Sequence, residues 1–90
     1  MRETLAQKMT TVIAEYAHEP PLDEAALAAQ IAKLERCLEI REIKWARSFV
    51  SFDGRTQFSV FEAGDAELVR EAHRMLGIAF VRIVPVTVAR

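Results

Sequence analysis

Apolar positions change period along this chain, and each change predicts an element. Thr10 to Ala17 (TTVIAEYA) is β-branched and aromatic with partial alternation, which suits a first strand. The segment His18-Glu19-Pro20-Pro21 cannot continue it, because proline and the residue before it leave the ladder. Asp23 is suited to cap a helix, and Leu27, Ile31, Leu34 and Leu38 then recur at intervals of four, three and four, the spacing of one apolar helical stripe. The first helix is predicted over about Asp23 to Glu39. Ile43 to Ser51 and Thr56 to Ala63 are strand-like runs on either side of Phe52-Asp53-Gly54-Arg55, and Asp-Gly between such runs signals a hairpin. Gly64 then breaks the pattern, Asp65 caps a second helix, and Ala66, Val69, Ala72, His73 and Leu76 share a face until Gly77 ends it. Phe80 to Val88 reads as a last strand, and Pro85 within it places that strand on a sheet edge.

The order strand, helix, strand, strand, helix, strand predicts an α+β fold of the split βαβ type. Such a fold is a four-stranded antiparallel sheet with strands one and three in its centre and two helices on one face. A length of 90 residues leaves room for one core. Residues 1–8 are expected to be an extension, with Met9-Thr10-Thr11 resembling a second translation start, and residues 9–90 to form a single domain.

Hairpin register assigns the two faces. With the turn centred on Asp53 and Gly54, Phe49 should oppose Phe58, Arg47 should oppose Val60, and Trp45 should oppose Glu62. One face then carries Trp45, Arg47, Phe49, Phe58, Val60 and Glu62. The other carries Ala46, Ser48, Val50, Ser59, Phe61 and Ala63. Both are substantially apolar, and two helices can cover only one of them, so a homodimer is expected to cover the other.

Composition narrows the function. Hydrophobic residues at 51% and charged residues at 28% are the balance of an ordinary globule. A net charge of -1 supplies no field for nucleic acid or an anionic membrane. No apolar run reaches the roughly 18 to 20 residues of a membrane span, and the amino terminus lacks a signal core, so a cytoplasmic location is the default expectation. The single cysteine, Cys37, has no companion of metal-site spacing and is expected to be a buried, inert thiol.

The stretch CLEIREIKWARSFVSFDGRTQFSVFEAGDAELVREAHRMLGIAFVRIVPV, within Glu15 to Val86, resembles a family of small bacterial domains of unknown function, one branch of which is named for nickel binding. Its recognisable parts are Trp45-Ala46-Arg47-Ser48, Phe61-Glu62-Ala63, Asp65, and Val69-Arg70-Glu71-Ala72-His73. The resemblance implies a ferredoxin-like fold that pairs as a dimeric α/β barrel, a scaffold that also hosts monooxygenases, cyclases and isomerases. In the nickel-binding branch the helix-two histidine directly follows the glutamate, where Ala72 stands here. The imidazole of His73 comes one residue later, about 100° further round a helix.

Candidate chemistry centres on His73, whose place between Val69 and Leu76 turns its ring toward the sheet. There it is either a proton-transfer group or ligand contact, or a half-buried histidine hydrogen-bonded to backbone or carboxylate. Arg47 and Glu62, with Trp45 beside them, are read either as ligand anchors or as a structural ion pair at a dimer interface. Glu15 and Tyr16 fall on opposite strand faces, so one of them enters a covered layer, and Glu15 is a further pocket candidate. His18, next to Glu19, is a candidate metal ligand beside His73. The preferred expectation is a homodimer that binds a small molecule between sheet and helices through His73, Arg47, Glu62, Trp45 and Glu15. The alternatives are a nickel or other divalent-metal protein and a cofactor-independent cyclase or isomerase with His73 as base.

Overall fold

The computed structural model describes residues 9–87 and 89, so the extension expected over residues 1–8 lies outside the described residues. Its elements are β1 (Thr10–Ala17), α1 (Glu24–Ile40), β2 (Lys44–Val50), β3 (Thr56–Ala63), α2 (Ala66–Leu76) and β4 (Arg82–Val86). The strands form one antiparallel sheet in the order β2-β3-β1-β4. With both helices on one face, this is the ferredoxin-like fold, and β1 and β3 hold its centre. Pro85 lies opposite Val12 in edge strand β4, where its missing amide interrupts no further ladder.

Local chemistry fixes the helix ends. Asp23 accepts a hydrogen bond from the Ala26 amide at 2.8 Å, and Asp65 accepts one from the Leu68 amide at 2.9 Å, so each helix starts on a carboxylate cap. Helix α2 stops at Gly77, whose φ of 69° is left-handed, and the Ile78 amide then donates back to the His73 carbonyl at 2.9 Å. In the β2–β3 turn Gly54 has φ 76°, and a Cβ there would stand 2.9 Å from the Leu22 carbonyl oxygen. The turn therefore needs glycine both for its backbone and for its contact with the chain entering α1.

Register decides which face is covered. Val12, Ala14, Tyr16, Phe61, Ala63 and Ile83 are buried beneath the helices, against Leu34, Leu38, Val69 and Ala72. The opposite face presents Ile13, Phe49, Phe58, Val60, Val84 and Val86. Near the turn the β2–β3 register is the expected one, with Phe49 opposite Phe58 and Arg47 opposite Val60. Beyond Arg47 it shifts at a bulge, so Trp45 opposes Phe61 and Lys44 opposes Glu62. This corrects the pairing of Trp45 with Glu62: one extra residue, Ala46, flips the side-chain alternation and turns the indole to the covered face.

The two helices seat differently. Along α2, Ala66, Val69, Ala72 and His73 are all buried. Along α1 only Leu34 and Leu38 are, while Ile31 remains 43% exposed although it belongs to the same sequence stripe. The first half of α1 therefore stands off the sheet. No helix among the described residues is long and apolar enough to cross a membrane.

Candidate functional site

His73 is fully buried in the layer between α2 and the sheet, with the edges of Phe61 and Phe80 packed against it. Its Nδ1 lies 2.8 Å from the Val69 carbonyl, and its Nε2 lies 2.6 Å from the Tyr16 hydroxyl. A carbonyl only accepts, so Nδ1 carries the proton. In a neutral ring Nε2 is then an acceptor, and Tyr16 donates to it. Burial pushes the His73 pKa down, offset in part by the Val69 carbonyl, and so favours this neutral ring. Burial likewise pushes the Tyr16 phenol well up. Both ring nitrogens of His73 are thus engaged.

His18 follows β1 and stacks on Tyr16, with ring centroids 6.1 Å apart. The two histidines therefore flank one tyrosine. His18 Nε2 donates to the Gln57 side-chain oxygen at 2.8 Å, because that oxygen can only accept. Gln57, itself fully buried, exchanges amide hydrogen bonds with Gln30 of α1 and donates to Ser59 Oγ at 3.0 Å. Ser59 Oγ meets Ser48 Oγ at 2.7 Å, and Trp45 Nε1 donates to Ser48 Oγ at 2.9 Å. A polar seam thus crosses the covered face from His18 to Trp45. Among the described residues no buried side-chain nitrogen or oxygen lacks a partner, so the seam costs no unpaired group.

The seam ends at a cleft. Where α1 stands off the sheet, Leu27, Ile31, Leu38, Ile43 and Trp45 wall a space of about 480 Å³. Ser48 also lines it, together with Arg47, Glu35 and Glu39. Size and lining fit a small-molecule site: apolar walls with a few polar groups.

The expected site residues separate into two groups. His73, His18 and Trp45 lie on the helix side, but His73 is sealed in the core while Trp45 opens on the cleft. Glu62 shares the uncovered face with Val60, so no carboxylate-imidazole pair forms with His73. Glu15 is on that same face, in an ion pair with Arg82 at 2.9 Å, and Tyr16 is the one of the two that enters the covered layer. Arg47 sits at the bulge, opposite Val60 by register yet part of the cleft wall. Cys37 is half-buried rather than enclosed, and Arg41, one turn on, donates to its sulfur at 3.1 Å. Sequence reading left Tyr16 as one of two alternatives with Glu15 and did not single out Gln57, Ser59 or Ser48. The available signal was the run Gln57, Ser59, Phe61 at strand spacing: two polar residues in line with a core aromatic mark an internal network once that face is known to be covered.

Among the described residues no group of three or more His, Cys, Asp or Glu side chains converges. The donors of the described residues do not by themselves make up a nickel site.

Comparison with known proteins completes the description. The family model described as nickel responsive protein SCO4226-like matches residues 13–86. The crystal structure of SCO4226 from Streptomyces coelicolor A3(2) is similar with a TM-score of 0.77, over 89% of this chain and 99% of that one, at 12% identity. At that identity the likeness speaks for the fold alone. No curated protein gives a significant match.

Proposed function

Because the chain belongs to the SCO4226-like family of nickel responsive proteins, we propose that it is a homodimeric binding protein that holds a small, largely apolar molecule in the cleft between α1 and β2. The observation that carries this reading is the half-seated helix. Ile31 lies in an apolar stripe yet remains 43% exposed over a space of about 480 Å³. A helix docked only for stability would bury that side chain, at a gain of about 1.5 kcal/mol or more.

The dimer rests on the uncovered sheet face. Phe49 is 56% and Phe58 40% exposed there, with Val84 and Val86 beside them and the Glu15–Arg82 pair at the margin. Soluble monomers rarely leave so continuous an apolar face open. A second copy related by a two-fold axis presents the same apolar centre and charged margin, which makes the face self-complementary.

Trp45 supplies the test, because it is the only tryptophan and lines the cleft. A naphthalene-sized apolar probe should shift the single indole N–H resonance saturably, and Ile31→Arg, at a half-exposed position, should abolish the shift while the fold persists. Absence of saturable binding, or binding indifferent to Ile31→Arg, overturns the reading.

The family description favours nickel as a second reading. Since the described donors of one subunit do not converge, such a site draws on a second subunit or on residues beyond those described. Equilibrium dialysis decides it: nickel uptake at a fixed ratio per dimer, lost in His18→Ala, supports that reading, and the absence of uptake removes it.

A further inference from the structure

Strand register sets the side chains of the uncovered sheet face on a grid of rows that run across β2, β3, β1 and β4. Phe49, Phe58, Glu15 and Arg82 lie side by side in one row, Arg47, Val60, Ile13 and Val84 in the next, and Lys44, Glu62, Thr11 and Val86 in the last. The large apolar side chains therefore form a diagonal band, from Phe49 and Phe58 at one corner to Val84 and Val86 at the opposite one. Charges fill the two corners left over. One holds Lys44, Arg47 and Glu62, two cations against one anion, and the other holds Glu15 and Arg82, which pair at 2.9 Å and cancel.

A two-fold axis between two facing sheets can follow the strands, cross them, or follow either diagonal of this grid. Along the strands it lays Phe58 over the partner's Glu15, and across them it lays Phe58 over the partner's Glu62; either stacks an aromatic ring on a charge that the contact strips of water. The diagonal that joins the two charged corners lays the cationic corner on its own copy, like charge on like. Only the diagonal along the apolar band sets band on band and brings each charged corner to the other kind, with Arg47 above the partner's Glu15 and Glu62 beside the partner's Arg82. Lys44 stays next to Glu62 at the outer corner. We propose that a second copy docks about this axis, with Arg47 of each copy paired to Glu15 of the other. Neighbouring strands lie about 4.8 Å apart and alternate residues of a strand about 6.6 Å, so the band is inclined at about 45° and the two sheets cross at about 90°. The assignment rests on the homodimer reading and names how the two copies are oriented.

Residues on the axis face their own copies, which cross-linking reads directly. Phe49→Cys and Val86→Cys, each in the full chain with Cys37→Ser, should both be joined into covalent dimers by a short bismaleimide, since facing sheets lie about 10 Å apart. Under the other diagonal each would cross-link only in a mixture of the two variants. Charge exchange tests the paired corners: Arg47→Glu or Glu15→Arg alone should raise the dimer Kd about tenfold or more in sedimentation equilibrium, and the two together should return it to within about threefold of the unaltered chain. Cross-linking that is absent or confined to the mixture while the chain sediments as a dimer, or a double variant no tighter than the single ones, overturns the axis and leaves the homodimer reading intact. A chain that sediments as a monomer at every concentration removes that reading and the axis with it.

Discussion

The two faces of the sheet each carry a feature out of place: polar side chains within the covered layer, and large apolar ones on the uncovered side. Beneath the helices, β3 buries Gln57 and Ser59 in line with Phe61 and Ala63, and Gln57 and Ser59 join a hydrogen-bonded seam beside the Tyr16–His73 pair. On the uncovered side the same strand presents Phe58 and Val60, and β2 and β4 add Phe49, Val84 and Val86. A polar seam thus runs through the covered apolar layer, and an apolar patch lies on the uncovered face. Each face therefore points to a partner of a different kind. Buried polar side chains are costly unless every one is paired, so a fully paired seam ending at a cleft suits a specific small ligand. Exposed apolar side chains on a flat sheet have no such directional demand, and their natural partner is a second flat apolar face.

Substitutions on the two faces should consequently fail in different ways. His73→Ala should have the largest effect, because it opens a cavity and leaves the Tyr16 hydroxyl unpartnered in the core; about 3 to 4 kcal/mol of stability should be lost in urea unfolding at fixed concentration. On the other face Phe58→Glu should leave the fold in place but weaken the proposed dimer by about 2 kcal/mol or more, read as monomer in sedimentation at micromolar concentration. A sedimentation profile indifferent to that change would overturn the proposal that the uncovered face pairs with a second copy. Gln57→Leu should cost about 1 to 2 kcal/mol, since Ser59 keeps its bond to Ser48 and the other partners it leaves, Gln30 and His18, are only partly shielded from water.

The smallest effect is a pH dependence confined to the covered face. His73 is held neutral by burial, so its native pKa lies below the value near 6.5 of an unfolded histidine. Its contribution to stability is complete above about pH 6.5. It falls away as the pH drops from there through the depressed native pKa, because the unfolded chain takes up a proton that the native chain refuses. The slope of the urea midpoint between pH 7.5 and 5 should therefore flatten in His73→Phe, by at most about 1.4 kcal/mol per pH unit. An unchanged slope would mean that the ring already exchanges protons in the native state.

The elements were legible in the sequence because each is marked by local chemistry. Asp23 and Asp65 cap helices, Gly77 ends one, Asp53-Gly54 turns a hairpin, and Pro85 assigns an edge; all of these act within a few residues. His73 was legible as an inward-facing residue for the same reason, since helical spacing fixes its direction. The uncovered apolar face followed from strand alternation once two helices had been counted.

The site was less legible, because it depends on distances no local pattern encodes. A single bulge at Ala46 moved Trp45 away from the face of Glu62 and onto the cleft wall, and nothing in the run KWARS marks it. Leu27 and Ile31 carry the same apolar spacing as Leu34 and Leu38, yet only the latter pair is buried, because where the helix axis lies against the sheet is settled by packing along its whole length. The sequence by itself determined which segments fold into which elements and in what order they join. Tertiary structure alone decided which partners His73 and Ser48 would find, since a hydrogen bond needs its two atoms within about 3 Å, and these were brought from strands and helices up to 57 residues apart.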